Sequence, residues 1–367
     1  MLKNLVYTLA VILVGLLAFR LVTIQPAGLV EVDSEELTPT QPVPVAPSVT
    51  LQPLPTAKTL VNDYHIFQTF NNCGPAALSM ALSYYGITKS QYELGQDLRP
   101  YQNPQGDNDD KSTTLDELAR EATEFGLLPF HRPNGTVELV KRFVLYDMPV
   151  ITLTRLTAED DIGHFRVVKG YDDATGKLLQ DDSYQGHNLW YSYAQFESLW
   201  ETFNYEYLVL VPEDKRAVAE AIIGEDTDLV TAWHKAADGA RRRLTTQPAS
   251  VYDRFNLAVA LYYTGDFAGS VAAFEAVEAE LPFRTLWYQI EPIEAYYELG
   301  DYDRVFELTD EILANHNRAF SELYILRGKI YQKQGNTAAA KREFEAAVLY
   351  NRNMPTALQA LAAVEGQ

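Results

Sequence analysis

The sequence predicts an α+β domain in the middle of the chain, followed by an all-α array of helical repeats and preceded by an apolar N-terminal helix. Three observations predict this order. Residues 5–24 are an apolar run broken only by Arg20; residues 59–213 alternate capped helices with short apolar strands; and beyond residue 213 the composition turns Ala- and Tyr-rich, with a Gly-centred pattern recurring every 35 residues.

The apolar run, LVYTLAVILVGLLAF and then LVTI after Arg20, is long enough to cross a bilayer if Arg20 snorkels to the interface. Lys3 precedes it, and Glu31, Asp33, Glu35 and Glu36 follow. The positive-inside bias then places the N-terminus inside and the body outside, as a single-pass membrane protein anchored by residues 1–25. A cleaved signal peptide, with secretion of the body, is the alternative; no Ala-x-Ala site follows the run. Residues 26–58 hold TPTQPVPVAPSVTLQPLPT, whose repeated prolines build neither helix nor central strand and read as an extended tether.

The chain has one cysteine, Cys73, so no internal disulfide is possible. Pro75 suits a first helical turn, and Ala76, Leu78, Met80, Ala81 and Leu82 continue at helical spacing up to Gly86. Cys73 is thereby placed at a helix N-terminus, where orphan N–H groups and the macrodipole favour an anion. Such positions bring a thiol from about 8.5 down to roughly 3.5–7.5. The plainer reading is a buried structural cysteine.

A nucleophile needs a base, and the base needs a group to orient it. Of six histidines, His164 stands in GHFRVVKGYDD, where Phe165, Val167 and Val168 look strand-like and Gly170, Asp172 and Asp173 mark a turn. The next strand, Lys177 to Gln180, runs into Asp181 and Asp182. Two strands joined by DDATG form a hairpin, which brings an acid at the end of the second near a His at the start of the first.

Around these elements, Ser90-x-x-Glu93 and Thr114-x-x-Glu117 read as capping boxes. The second opens a helix from Leu115 to Phe125 that stops at Gly126, and Pro149 introduces a strand from Val150 to Leu153. Asp107, Asp109 and Asp110 lie in a polar stretch that fails the calcium-loop pattern, since Ser112 occupies the sixth position where glycine is required. No cofactor is implied.

Gln68-x-x-x-x-Cys73-Gly74-Pro75-Ala76, the later Gly163-His164 and Asp182-Ser183-Tyr184 together resemble the papain-like cysteine peptidases that remove double-glycine leaders from bacteriocins, in their stand-alone branch. The resemblance spans about residues 60–212. It implies a papain-like α+β peptidase domain, with Cys73 as nucleophile, His164 as general base, Asp182 as orienting acid and Gln68 donating its amide to an oxyanion hole. Asp181 is the alternative orienter, because Ser183 stands where the family usually has proline.

In the C-terminal part, Gly265-Asp266, Gly300-Asp301 and Gly335-Asn336 occupy equivalent places. Two helices joined at such a turn, repeated near 34 residues, resemble tetratricopeptide repeats, here over residues 249–367. Phe274 and Phe344 share a place that Thr309 takes in the middle copy, and Pro282 falls where the first copy ends. Residues 214–248 read as a helical linker or degenerate leading repeat. Stacked helix pairs leave a concave face suited to a peptide or protein partner; the alternative is packing on the preceding domain.

A net charge of −20 argues against nucleic acid or an anionic membrane surface as partner. No phosphate-binding glycine motif is present. The sequence therefore predicts a membrane-tethered, extracytoplasmic cysteine peptidase acting on a peptide or protein substrate. Two alternatives remain: an inactive papain-like binding scaffold, and a cell-wall amidase or transpeptidase using the same residues.

Overall fold

A computed structural model describes residues 49–101, 112–315 and 317–366. The apolar run, most of the Pro-rich tether and the acids at 107, 109 and 110 lie outside the described residues, as does His316.

Every strand pairing is antiparallel. The sheet comprises β1 (Ala57–Thr59), β2 (Leu128–Arg132), β3 (Val150–Arg155), β4 (Gly163–Asp172), β5 (Lys177–Asp182), β6 (Gly186–Ser192) and β7 (Tyr207–Val211). Its order is β2-β7-β3-β4-β5-β6, with β1 added on β4. Helices cover both faces. On one, α1 (Cys73–Ser83), α2 (Gln91–Leu98) and α3 (Leu115–Thr123) bury Leu78, Leu82, Leu94 and Leu118 with Ile151, Phe165, Val167 and Leu208. On the other, α4 (Val137–Leu145), α5 (Tyr193–Trp200) and α6 (Arg216–Ile223) pack Phe143, Phe196, Trp200 and Ile223 against Val150, Val168, Tyr171 and Val209. β3 is covered on both sides, which explains its apolar and threonine run from Val150 to Thr154.

Local chemistry accounts for the element ends. Ser90 and Thr114 form the expected capping boxes with Glu93 and Glu117. A third, Ser192 with Gln195, opens α5 and was not anticipated. Helix α3 stops at Thr123, two residues short of the predicted end, as a turn leads into Gly126 at φ +74°.

The helical region begins with α7 (Leu229–Thr246), which packs on α8 (Val251–Tyr263) through stacking of Trp233 on Tyr263 at 4.1 Å. Paired helices follow: α8 with α9 (Phe267–Glu275), α10 (Glu291–Leu299) with α11 (Tyr302–Ala314), and α12 (Ser321–Lys333) with α13 (Thr337–Tyr350), ending in α14 (Pro355–Glu365). Gly265, Gly300 and Gly335 all take left-handed φ of 74–81°, the reason glycine recurs there. Asp266, Asp301 and Asn336 each cap the following helix with a side-chain oxygen.

Residues 276–290 interrupt the helices while keeping the 35-residue spacing of the glycines. Instead of continuing as helix, they form two short 3₁₀ turns, Glu278–Glu280 and Thr285–Trp287. This segment lies against the sheet domain: Arg284 donates to Asp161 at 2.5 Å, and Tyr288 packs edge-on to Phe203 at 5.8 Å.

Candidate active site

Cys73 is the first residue of α1, and its neighbours explain the local sequence. A side chain at Gly74 would run into the Thr113 hydroxyl, since an added Cβ would lie 1.9 Å from Oγ1. Asn71 takes a left-handed φ of 54° ahead of the helix. Arg99 from the end of α2 ties this turn down, donating to the Asn71 carbonyl and to Asn72 Oδ1, each at 2.6 Å.

His164, 2% exposed, is the second residue of β4. Asp182 ends β5 and pairs in register with Arg166, two residues along from His164 on the same face. Its Oδ1 lies 2.8 Å from His164 Nε2 and also accepts the backbone N–H groups of Tyr184 (2.7 Å) and Gln185 (2.8 Å). Arg166, fully buried, places Nε 3.2 Å from Asp182 Oδ2 and donates to the carbonyls of Arg155 and Leu156. With Nε2 held by Asp182, Nδ1 is the imidazole nitrogen left for the thiol. Ser112 Oγ stands 3.7 Å from Sγ.

The electrostatics follow from this packing. Burial alone would push the Cys73 thiol up, yet the hydrogen bond and charge of His164, with Ser112 and Arg99 behind them, hold it below its ordinary value. Burial disfavours the imidazolium, but Asp182 and Cys73 together raise His164. Asp182 is lowered despite its own burial, through His164, Arg166 and the Gln185 N–H. Both shifts run towards a thiolate–imidazolium pair backed by a carboxylate, titrating as a coupled unit.

Asp181, the alternative orienter, faces the other way. It meets Lys169 Nζ at 2.8 Å, accepts from the Asn188 N–H at 2.9 Å, and lies 3.5 Å from His187. Of the two acids, the structure brings Asp182 to His164.

Gln68 lines the same cleft as Cys73 and His164, a cavity of about 500 Å³. Its backbone N–H donates to the Ser183 carbonyl, and the Ser183 hydroxyl donates to Gln68 Oε1, both at 2.8 Å. The carboxamide oxygen is thereby occupied and the NH₂ is left as donor. Three contributions escaped sequence reasoning. Arg166 looks like any strand residue, and Arg284 and Tyr288, which also line the cleft, come from the irregular stretch more than a hundred residues later. Tyr288 covers Gly163 closely: an added Cβ there would approach its ring to 2.8 Å.

Residues 59–208 match the model of the Peptidase_C39 like family. Solved structures similar to this chain include a protein described as a C39-like peptidase from Bacillus anthracis, 16% identical over 43% of this chain and 98% of its own, with a TM-score of 0.36. The peptidase domain of Streptococcus ComA, a bifunctional ABC transporter involved in a quorum-sensing pathway, is 20% identical over 41% and 97%, with a TM-score of 0.32. A thermophilic TPR protein from Thermus thermophilus is 17% identical over 39% and 77%, with a TM-score of 0.30. No curated protein matches the chain.

Proposed function

We propose that this chain, whose residues 59–208 match a C39-like peptidase family, is a cysteine peptidase working through Cys73, His164 and Asp182. The observation that carries the reading is the 2.8 Å bond from Asp182 to His164, in a cleft shared with a helix-N-terminal thiol. The Cys73 thiolate attacks the substrate carbonyl carbon, forming a C–S bond and an oxyanion. The oxyanion accepts from the Gln68 carboxamide and the Cys73 backbone N–H. His164 gives its proton to the leaving amine as the C–N bond breaks. Neutral His164 then takes a proton from water, whose oxygen attacks the thioester and expels the thiolate. Asp182 keeps Nε2 protonated and the ring aligned throughout.

The helical repeats in this reading bind the substrate or a protein partner, and the apolar residues 5–24 hold the body on the outer side of a membrane. The test is alkylation of the full chain with iodoacetamide across pH. Cys73 is expected to react selectively with an apparent pKa below that of a free thiol, and His164→Ala to raise that pKa. A profile matching an unfolded thiol would dispose of the reading.

A further inference from the structure

A second cavity, of about 420 Å³, lies on the other side of Tyr288 from the catalytic cleft, between the sheet domain and the repeats. Its walls carry an excess of acid. Asp116 engages Arg120 at 3.1 Å and Glu206 engages His131 at 2.6 Å; Glu291 and Glu294 from α10 add two further carboxyl groups, and Glu291 accepts from the Tyr263 hydroxyl at 2.9 Å through Oε1 alone. Burial pushes Glu291 up to about 8, with the nearby charges of Glu294 and Glu206 adding to it.

Acids alone would make only a solvated cluster, but the same cavity has unused hydrogen-bonding groups. Gln289, 4% exposed, lines it with neither side-chain Oε1 nor Nε2 bonded to any described residue. The Thr113 hydroxyl, also lining it and 3% exposed, and Glu291 Oε2 are in the same position. Buried polar atoms of this kind are costly when unmet, so a group that meets several at once is favoured there. The complement of carboxylates, an amide oxygen and a hydroxyl is a cation with several N–H donors. Among the described residues, no set of His, Cys, Asp and Glu is arranged to hold a metal ion instead.

The cavity also borders the chemistry. Ser112, 3.7 Å from Cys73 Sγ, is part of its wall, and Tyr288 lines both spaces. We propose that it receives the guanidinium or ammonium of an arginine or lysine side chain in the peptide held at Cys73. The repeats thus act as a specificity wall that selects a basic residue close to the attacked bond. This rests on the peptidase reading for its substrate, but not for the cation site itself.

Two arms of one experiment separate these parts. Calorimetric titration of the Cys73→Ala full chain with n-butylguanidinium and its neutral isostere n-butylurea reads the site without catalysis. The charged ligand should bind saturably and at least about tenfold tighter, with Gln289→Leu and Glu291→Gln each weakening it by about tenfold. Circular dichroism and thermal melting check that both variants fold; if Gln289→Leu does not, Glu291→Gln carries the test. In the second arm, bromoacetyl-arginine amide and bromoacetyl-citrulline amide alkylate Cys73 of the wild-type chain. The arginine reagent should react at least about tenfold faster, and Glu291→Gln should erase that preference while leaving the iodoacetamide rate unchanged. Equal binding of both calorimetric ligands would overturn the proposal. Charge-selective binding with no preference in the labelling arm would leave a free-cation site and overturn the assignment to the substrate. An ordinary, unreactive Cys73 towards iodoacetamide would sink the peptidase reading but not the cation site.

Discussion

The two faces of the β4–β5 hairpin carry nearly the same parts and do different things with them. On one face Asp182 meets His164 and a fully buried Arg166; on the other Asp181 meets His187 and a buried Lys169. Both acids are completely inaccessible. The difference lies in what the histidine reaches. His164 is sealed against the helix bearing Cys73, whereas His187 is 28% exposed and stacks on His65 at 5.2 Å. An acid–histidine–cation group is therefore not a catalytic device by itself. In the proposed reading it becomes one where a polarisable nucleophile lies within its reach, and elsewhere it serves to satisfy a buried charge.

This contrast can be broken by substitution. Cys73→Ala should abolish peptide hydrolysis outright with an unchanged far-ultraviolet helical signal; residual turnover would place the nucleophile elsewhere. Asp182→Asn should lower kcat/KM by about 10²–10⁴, because the amide no longer fixes the His164 tautomer or its charge. The same variant tests the titration. The lowering of Cys73 and the raising of His164 both widen the pH range over which thiolate and imidazolium coexist. Losing the carboxylate removes what raises His164, so the pH–rate plateau should narrow from both ends. A plateau of unchanged width would show that Asp182 does not hold the pair.

Asp181→Asn should behave in the opposite manner. It leaves Lys169 buried with only His187 Nε2 at 3.0 Å, so denaturant titration should show a loss of about 3–5 kcal/mol. The rate per folded molecule should stay near wild type, and a fall comparable to that of Asp182→Asn would erase the distinction between the faces. Gln68→Ala should cost about 10²–10³ in kcat with little change in KM, the signature of a lost oxyanion donor. Smallest of all, Ser183→Ala frees the Gln68 carboxamide and should lower kcat by about fivefold, the worth of one neutral hydrogen bond. No effect there would mean that Gln68 is aligned by its backbone bond alone.

Much of this arrangement was legible in the sequence because its causes are local. Ser90, Thr114, Asp266, Asp301 and Asn336 cap helices with atoms three residues away, and Gly265, Gly300 and Gly335 supply turns only glycine enters cheaply. The helix behind Cys73 and the hairpin behind His164 are read from pattern for the same reason. Choosing between Asp181 and Asp182 is another matter. Neighbouring strand residues face opposite ways, so one step of register exchanges them, and pattern cannot supply the register. Nor could the form of residues 276–290 be read, since it follows no helical pattern and answers to the surface they meet.

The sequence by itself determined the elements, the thiol at a helix start, the histidine at a strand start and the 35-residue repeat, because short-range sterics and hydrogen bonds decide such features. The tertiary structure alone decided which acid meets His164, that Arg166 backs it, and that Arg284, Tyr288 and Gln289 of the repeats wall the cleft and its neighbouring cavity. Those are contacts between residues up to a hundred or more positions apart. They are set by how sheet and helices bury their apolar faces together, and no local stretch of chain encodes that outcome.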